Sequence, residues 1–283
     1  MKRESFECVA RALRRGAGFN LTGEMAYLVE MRLAPVARRH NQRDIDALAQ
    51  AVREGRNERL VAEVVDAMMM KDTAFFRDWR PFVAFRQAVL PGLAQARRGA
   101  GAETLRIWCA GCATGQEPYS IAMILREEAA RLNGLKVEIV ATDMSETSLA
   151  RAKAAYFSQL EVQHGVPTRL LIKHFRQEGT GWRLGMPVRN AVKFERFNLI
   201  ESPRALGAFD VVFCRNVLSH FGDDERREAL LQMSAILADD GVLFLGERED
   251  VTGAAHAFER VPGAGIFARA SHQAARRIAG SAA

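Results

Sequence analysis

Two cysteines separated by two residues, Cys109 and Cys112, stand in the stretch IWCAGCATGQEPYS at residues 107–120. That spacing suits a redox dithiol or half of a zinc site. A zinc site needs about four ligands, and Cys214, on a different apolar run, brings no partner at ligand spacing. Both cysteines belong instead to a run of small residues, Cys109 to Gly115. Small side chains let a ligand approach the backbone, and a glycine such as Gly111 also permits positive φ. The run does not match the G-x-G-x-x-G dinucleotide fingerprint. Glu117 follows, with Pro118 suited to the first helical position. A carboxylate there opposes a pyrophosphate, which favours a helix N-terminus free of negative charge, but it suits an ammonium or sulfonium. Asp143 ends the stretch LKVEIVATD, where an acidic side chain can bind both ribose hydroxyls. Together these residues describe a site for a cationic nucleoside without phosphates, that is, S-adenosylmethionine. The cysteines then read as loop filler beside that cofactor, and no metal is expected.

Such a loop must sit between a strand and a helix. From about residue 101 the chain alternates short apolar runs with helical segments: TLRIWCA and LKVEIVATD, FDVVFCRN and GVLFLGE, separated by PYSIAMILREEAARL, SETSLARAKAAY and DDERREALLQMSAIL. This alternation predicts a mostly parallel sheet covered by helices, with the ligand at the strand ends. AFERV and GIFARA, around PGAG, predict an antiparallel hairpin, and the tail after Ser271 is expected to fray. Between Phe157 and Glu195 turn glycines and short β-like runs break the alternation, which predicts a small β-rich insertion.

The first seventy residues read as helices. GEMAYLVEMRLAPVARRH places Met25, Leu28, Met31 and Leu33 on or near one apolar stripe, and Pro35 is expected to kink or divide that helix. The run Met68–Met70 reads as filling between helices. The expected units are therefore a helical domain at 1–70 and an α/β domain at 71–283, with the insertion at about 157–195.

Composition bounds the function. The 283 residues, 48% hydrophobic, can bury a full core. No run of about 18 apolar residues predicts a membrane span, and no secretory signal opens the chain, so a reducing cytoplasm is expected. The net charge of +6 lies within residues 1–100, which carry 18 Lys and Arg against 12 Asp and Glu. An excess at one end implies an acidic partner for the N-terminal helices. No DNA-reading or basic–aromatic RNA motif accompanies it, so no nucleic-acid partner is expected.

At several separated places the chain resembles the CheR family of chemoreceptor glutamate O-methyltransferases. TAFFRD (Thr73–Asp78) resembles the T-x-F-F-R signature, and CATGQEPYSIAM the family's loop and helix. ATDMS, FNL at Phe197–Leu199 and FCRNVLSHF resemble three further motifs. The resemblance covers roughly residues 20–270 and implies a Rossmann-like class I methyltransferase sheet with a β-subdomain insertion, preceded by a small all-α, basic, receptor-facing domain. It implies cofactor contacts from Lys71, Thr73, Arg77, Gly111, Glu117, Asp143, Asn198, Leu199, Arg215 and Asn216. Glu117 is expected at the methionyl ammonium, Asp143 at the ribose and Asn198–Leu199 at the adenine edge. Three positions depart from the family pattern: Lys71 replaces an Asn, His220 a Tyr, and Gly246-Glu247-Arg248-Glu249 the G-H-S-E after the last central strand.

The implied reaction moves a methyl group from S-adenosylmethionine to a glutamate carboxylate on a chemoreceptor's cytoplasmic helical bundle. A carboxylate is already ionised at neutral pH, so no general base is needed. Arg77 is expected to position that carboxylate, His220 to donate a hydrogen bond in place of the Tyr, and Arg32, Arg38 and Arg39 to face the receptor; a monomer is expected. The run from Phe175 to Phe194 is about four residues shorter than in relatives that tether to a receptor's terminal peptide by strand addition, which predicts a pentapeptide-independent enzyme. Methyl transfer to a small molecule, or a catalytically weak cofactor-binding adaptor, are the alternative readings.

Overall fold

Four helices open the chain: α1 (Arg3–Ala17), α2 (Ala26–Arg39), α3 (Ile45–Glu54) and α4 (Glu58–Met68). The computed structural model describes residues 1–55, 57–261 and 265–270. Each helix starts or stops where its sequence dictates. Asp44 and Asn57 accept the N–H groups of Ala47 and Leu60 at the starts of α3 and α4, and glycines in left-handed conformation, Gly18 and Gly55, end α1 and α3. Cys8, Val9 and Leu13 of α1, Leu48 of α3 and Val64 of α4 meet in one core with Val29, Leu33, Val36 and Ala37 of α2.

That core corrects the stripe expected for α2. Of Met25, Leu28, Met31 and Leu33, only Leu33 is fully buried, and Met31 is 60% exposed. Nor does Pro35 divide the helix, which runs unbroken to Arg39. A proline removes the bond to the carbonyl four residues earlier. That carbonyl belongs to Met31, on the solvent side, while Leu33, Val36 and Ala37 hold the turn from the core side. The methionine run also divides, with Met68 in the core and Met69 and Met70 on a cavity wall described below.

After α4 an extended segment leads to α5 (Arg80–Ala84), a π-helical turn (Phe85–Val89) and α6 (Leu90–Gly99). The wider π turn accommodates Pro91, which cannot donate to a regular ladder. Then come β1 (Thr104–Ala110), α7 (Gln116–Glu127), α8 (Ala129–Leu132), β2 (Lys136–Asp143) and α9 (Glu146–Ala154). The insertion holds β3 (Tyr156–Ser158), α10 (Gln159–Gln163), α11 (Thr168–His174), β4 (Phe175–Glu178), β5 (Gly181–Leu184) and α12 (Met186–Arg189). The chain finishes with β6 (Val192–Arg196), β7 (Phe209–Cys214), α13 (Asp223–Ile236), β8 (Leu237–Leu245), β9 (Phe258–Arg260) and β10 (Ile266–Arg269).

Seven strands form one sheet in the order β6-β2-β1-β7-β8-β10-β9. The first five are parallel, and β10 runs antiparallel to both β8 and β9. Side chains alternate between two buried faces: Ile107 and Cys109 enter one core, Trp108 and Ala110 the other. The class expected from the alternation, a Rossmann-like α/β sheet behind a helical N-terminal part, is the one observed.

The insertion forms a separate three-stranded antiparallel sheet in the order β3-β5-β4. Its expected end at about 195 is too late. Val192–Arg196 is a main-sheet strand, with Phe194 opposite Ala141 of β2, because its apolar residues complete the parallel sheet's edge. The β9–β10 pairing matches the expected hairpin. Residues 262–264 of its turn, and the tail after Ser271 expected to fray, lie outside the described residues.

Candidate active site at the sheet's switch point

The chain leaves β1 toward β2 and β6, then returns through β7 on the other side. Strand order therefore reverses between β1 and β7, and a crevice opens beyond their C-terminal ends. A cavity of about 550 Å³ lies there. Thr73, Arg77, Gly111, Glu117, Asp143, Asn198, Leu199, Arg215, Asn216 and His220 all line it. These ten come from five separate stretches of chain, and only the fold brings them together.

The floor is the loop after β1. Gly111 has φ 71°, and a Cβ there would meet Val217 at 2.7 Å, so only glycine fits. Gly111 and Cys112 donate their N–H groups to the Thr142 carbonyl, which ties the loop to β2. Ala113, also left-handed at φ 46°, donates its N–H to Asp143 Oδ2 at 2.9 Å, while Asp143 Oδ1 accepts from Ser145 N at 2.8 Å. Burial raises the Asp143 pKa, and those two N–H donors oppose the rise. Cys109 and Cys112 are buried, which pushes their thiols well above the ordinary range. Cys109 thus lies within β1 instead of the expected loop, Cys112 lies in the loop after it, and both are packed side chains. Among the described residues, no three His, Cys, Asp or Glu side chains come together as a metal site would need.

The far wall is charged. Arg215, its side chain 1% exposed, donates from Nη1 to Glu117 Oε2 at 3.1 Å. Its Nη2 donates to Asp78 Oδ2 at 2.9 Å and to the Arg77 carbonyl at 3.0 Å. Burial raises the Glu117 pKa and Arg215 draws it back down. Arg77 reaches the cavity with its guanidinium against Asp72, donating to that residue's carbonyl at 3.0 Å. Asn216 is left-handed at φ 59°, and its Oδ1 is buried with no hydrogen-bond partner among the described residues.

The helical unit closes the roof. Asn198 Nδ2 donates to the Gly16 carbonyl at 2.7 Å, and Asn20 N to the His220 carbonyl at 2.7 Å. The His220 ring stacks on Phe19 with centroids 5.6 Å apart. Burial lowers its pKa against the pull of Glu249, and so favours the neutral imidazole.

Three expected residues lie elsewhere or do other work. Lys71 is not part of the cavity wall: its ammonium pairs with Asp66 at 3.2 Å and bonds Thr147 Oγ1 at 2.9 Å. Extended backbone after α4 turns it toward α9 instead. On α2 the three arginines are not equivalent. Arg32 donates to the Met68 and Met69 carbonyls and so caps the end of α4. Arg39 pairs with Glu63, whereas Arg38 is exposed.

Two residues that the motifs did not single out also shape the cavity. Glu249 takes the N–H groups of Asn216 (2.7 Å), Gly246 (2.8 Å) and Ser219 (3.0 Å), tying the loops after β7 and β8 together. The signal was present, since Glu249 keeps the final acid of the G-H-S-E pattern. Asp78, the last residue of TAFFRD, is the other.

The family described as CheR methyltransferase, SAM binding domain, matches residues 71–266. The chain belongs to the CheR methyltransferase family. "Chemotaxis protein methyltransferase 1" of Pseudomonas aeruginosa is 39% identical over 248 residues, covering 86% of this chain and 89% of that protein. "Chemotaxis protein methyltransferase Cher2" of Pseudomonas putida is 36% identical over 252 residues, covering 88% and 90%. A "Chemotaxis protein methyltransferase" of Vibrio anguillarum is 35% identical over 261 residues, covering 91% and 93%. The CheR match begins at Lys71, two residues before the cavity's first motif residue, Thr73, and takes in every strand of the main sheet up to the first residue of β10, Ile266.

Proposed function

We infer that this CheR-family chain transfers the methyl group of S-adenosylmethionine to glutamate side chains of chemoreceptor helical bundles. The observation that carries the reading is the placing of two partly buried carboxylates, Glu117 and Asp143, on either side of the small-residue loop at the switch point. The fit to the cofactor is chemical. A carboxylate that must stay ionised in a buried place suits a cationic ligand, and Asp143, with one N–H on each oxygen, keeps lone pairs for two hydroxyls. Glu117 would hold the ammonium, Asp143 the ribose, and the Asn198–Leu199 backbone region the adenine edge. Asn216 Oδ1, without a hydrogen-bond partner among the described residues, and the bare backbone at Gly111 suit a ligand laid against the loop.

S-adenosylmethionine supplies the transferable methyl as an electrophilic carbon on a sulfonium. The protein's own part is alignment and electrostatics. Arg77 lines the cavity, and its guanidinium, held by Asp72 in this structure, would turn from that partner to orient the acceptor carboxylate by its planar fork. Neutral His220, fixed by Phe19, offers a hydrogen bond and no competing charge. Arg38, exposed and without a salt-bridge partner among the described residues, is the α2 cation offered to the receptor's acidic side, while Arg32 and Arg39 serve mainly to hold α4.

Independence from a receptor's terminal pentapeptide belongs to the same reading. The turn between β4 and β5 is only Gly179–Thr180, and the insertion sheet's edges, β3 and β4, are three and four residues long. That is little edge for an added strand. The test is transfer of labelled methyl groups to membranes bearing the host's chemoreceptors, with and without their terminal pentapeptide. Equal labelling of glutamates in both is expected. Cofactor binding with no transfer would overturn the activity, and a micromolar Kd for the free pentapeptide would overturn the independence.

A further inference from the structure

The segment Thr73–Asp78 forms a wall between the cofactor cavity and a second cavity of about 680 Å³ on its other face. Arg77 lines both. The residues on either side of it, Phe76 and Asp78, are left-handed at φ 49° and 55°. Bulky side chains adopt that conformation only where their surroundings impose it, and here each neighbour has an anchor. Phe75 packs edge-on against Phe157 and Phe175 of the insertion, and Phe76 donates its N–H to Ser120 Oγ of α7 at 3.0 Å. On the C-terminal side the anchor is Arg215, which holds the Asp78 carboxylate and the Arg77 carbonyl with one nitrogen.

We propose that Asp78 is a positioning residue that acts through Arg215 to fix Arg77 over the cofactor cavity. This rests on the methyl-transfer reading above. Arg215 is buried, so its guanidinium needs carboxylate partners. Glu117 is one of them, and it is also the group assigned to the cofactor's ammonium. When the ammonium draws on Glu117, Asp78 becomes the main counter-charge of Arg215. The hold on the Arg77 backbone is then tightest in the state that is ready to receive the acceptor. Loading the cofactor therefore prepares the acceptor site.

Asp78→Asn tests this with the backbone preserved, because asparagine is among the residues most tolerant of left-handed φ. Three measurements are compared with wild type: thermal melting, S-adenosylhomocysteine affinity by calorimetry, and kcat and KM for receptor. Melting should fall only partway, because Arg215 keeps Glu117 and an amide oxygen at position 78, and product affinity should weaken by no more than a few-fold, while kcat falls further, roughly tenfold. In an Arg77→Ala background the same Asp78→Asn change should lower kcat no further, since a residue acting only through Arg77 has nothing left to position. Multiplying effects, or a loss confined to melting or product affinity, would overturn the assignment. A wild-type enzyme that binds product but methylates no receptor would instead sink the functional reading itself.

Discussion

Asp143→Ala separates the two tasks its carboxylate is placed to do. One oxygen holds Ala113 and the other Ser145, and the remaining lone pairs are assigned to the ribose. Hydrogen bonds to a charged acceptor contribute about 1.5–3 kcal/mol each. Two ribose bonds at the lower end amount to about 3 kcal/mol, or roughly a hundredfold in Kd. Water entering the vacated space recovers part of that, so the expected loss lies between tenfold and a hundredfold. The loop should also loosen. Ala113 sits at φ 46°, a conformation costing a non-glycine residue about 1–2 kcal/mol, and it loses the bond that offsets this. For a chain of this size each kcal/mol lowers Tm by about 2–4 °C. The assay is calorimetric titration with S-adenosylhomocysteine beside a thermal melt. Asp143→Asn, which keeps one oxygen acceptor without the charge, should fall between wild type and alanine. Unchanged affinity in folded Asp143→Ala refutes the ribose assignment, and a lower Tm with unchanged Kd leaves Asp143 only its loop role.

Cofactor binding should weaken on acidification, because Glu117 must be ionised and burial raises its pKa above the ordinary 4.5. Titrations from pH 8 downward should show the loss beginning where an exposed glutamate is still ionised, and Glu117→Gln should bind weakly with a flat profile. The same shift makes ionising Glu117 cost folding stability as pH rises from its unfolded pKa to its folded one. His220 has the opposite linkage: its pKa is lowered in the fold, so its contribution to stability is lost as pH falls below 6.5, and His220→Gln should reduce that acid sensitivity in melting curves. Replacing Cys109 and Cys112 together by alanine should keep activity within a few-fold, and in the native protein both thiols should resist alkylating reagents until unfolding. Arg38→Glu should raise KM for receptor at unchanged Tm, an effect that fades with salt. Arg32→Glu should lower Tm instead, because it removes the cap on the Met68 and Met69 carbonyls.

Much of this protein was legible in one dimension. Strand and helix periods carried the sheet, since a strand buried on both faces is apolar along nearly all its length, as Phe209–Cys214 is apart from Asp210, which pairs with Arg97. The small-residue loop, Glu117 and Asp143 were legible too, because their positions follow from local rules: a loop after a strand, a first turn, a strand's end. What stayed hidden depended on how separate elements meet. Whether Met31 or Val29 faces the core depends on where α3 and α4 lie against α2, and periodicity alone cannot choose between adjacent stripes. Lys71 has the spacing of a site residue but turns to Asp66 and Thr147, 76 residues away in the second case. Glu249 and Asp78 gain their roles only through partners 33 and 137 residues distant. Local sequence specifies which conformations and charges a segment can offer. Which N–H a carboxylate takes, and which arginine is left free, is decided when the packed sheet sets distant loops within hydrogen-bond reach.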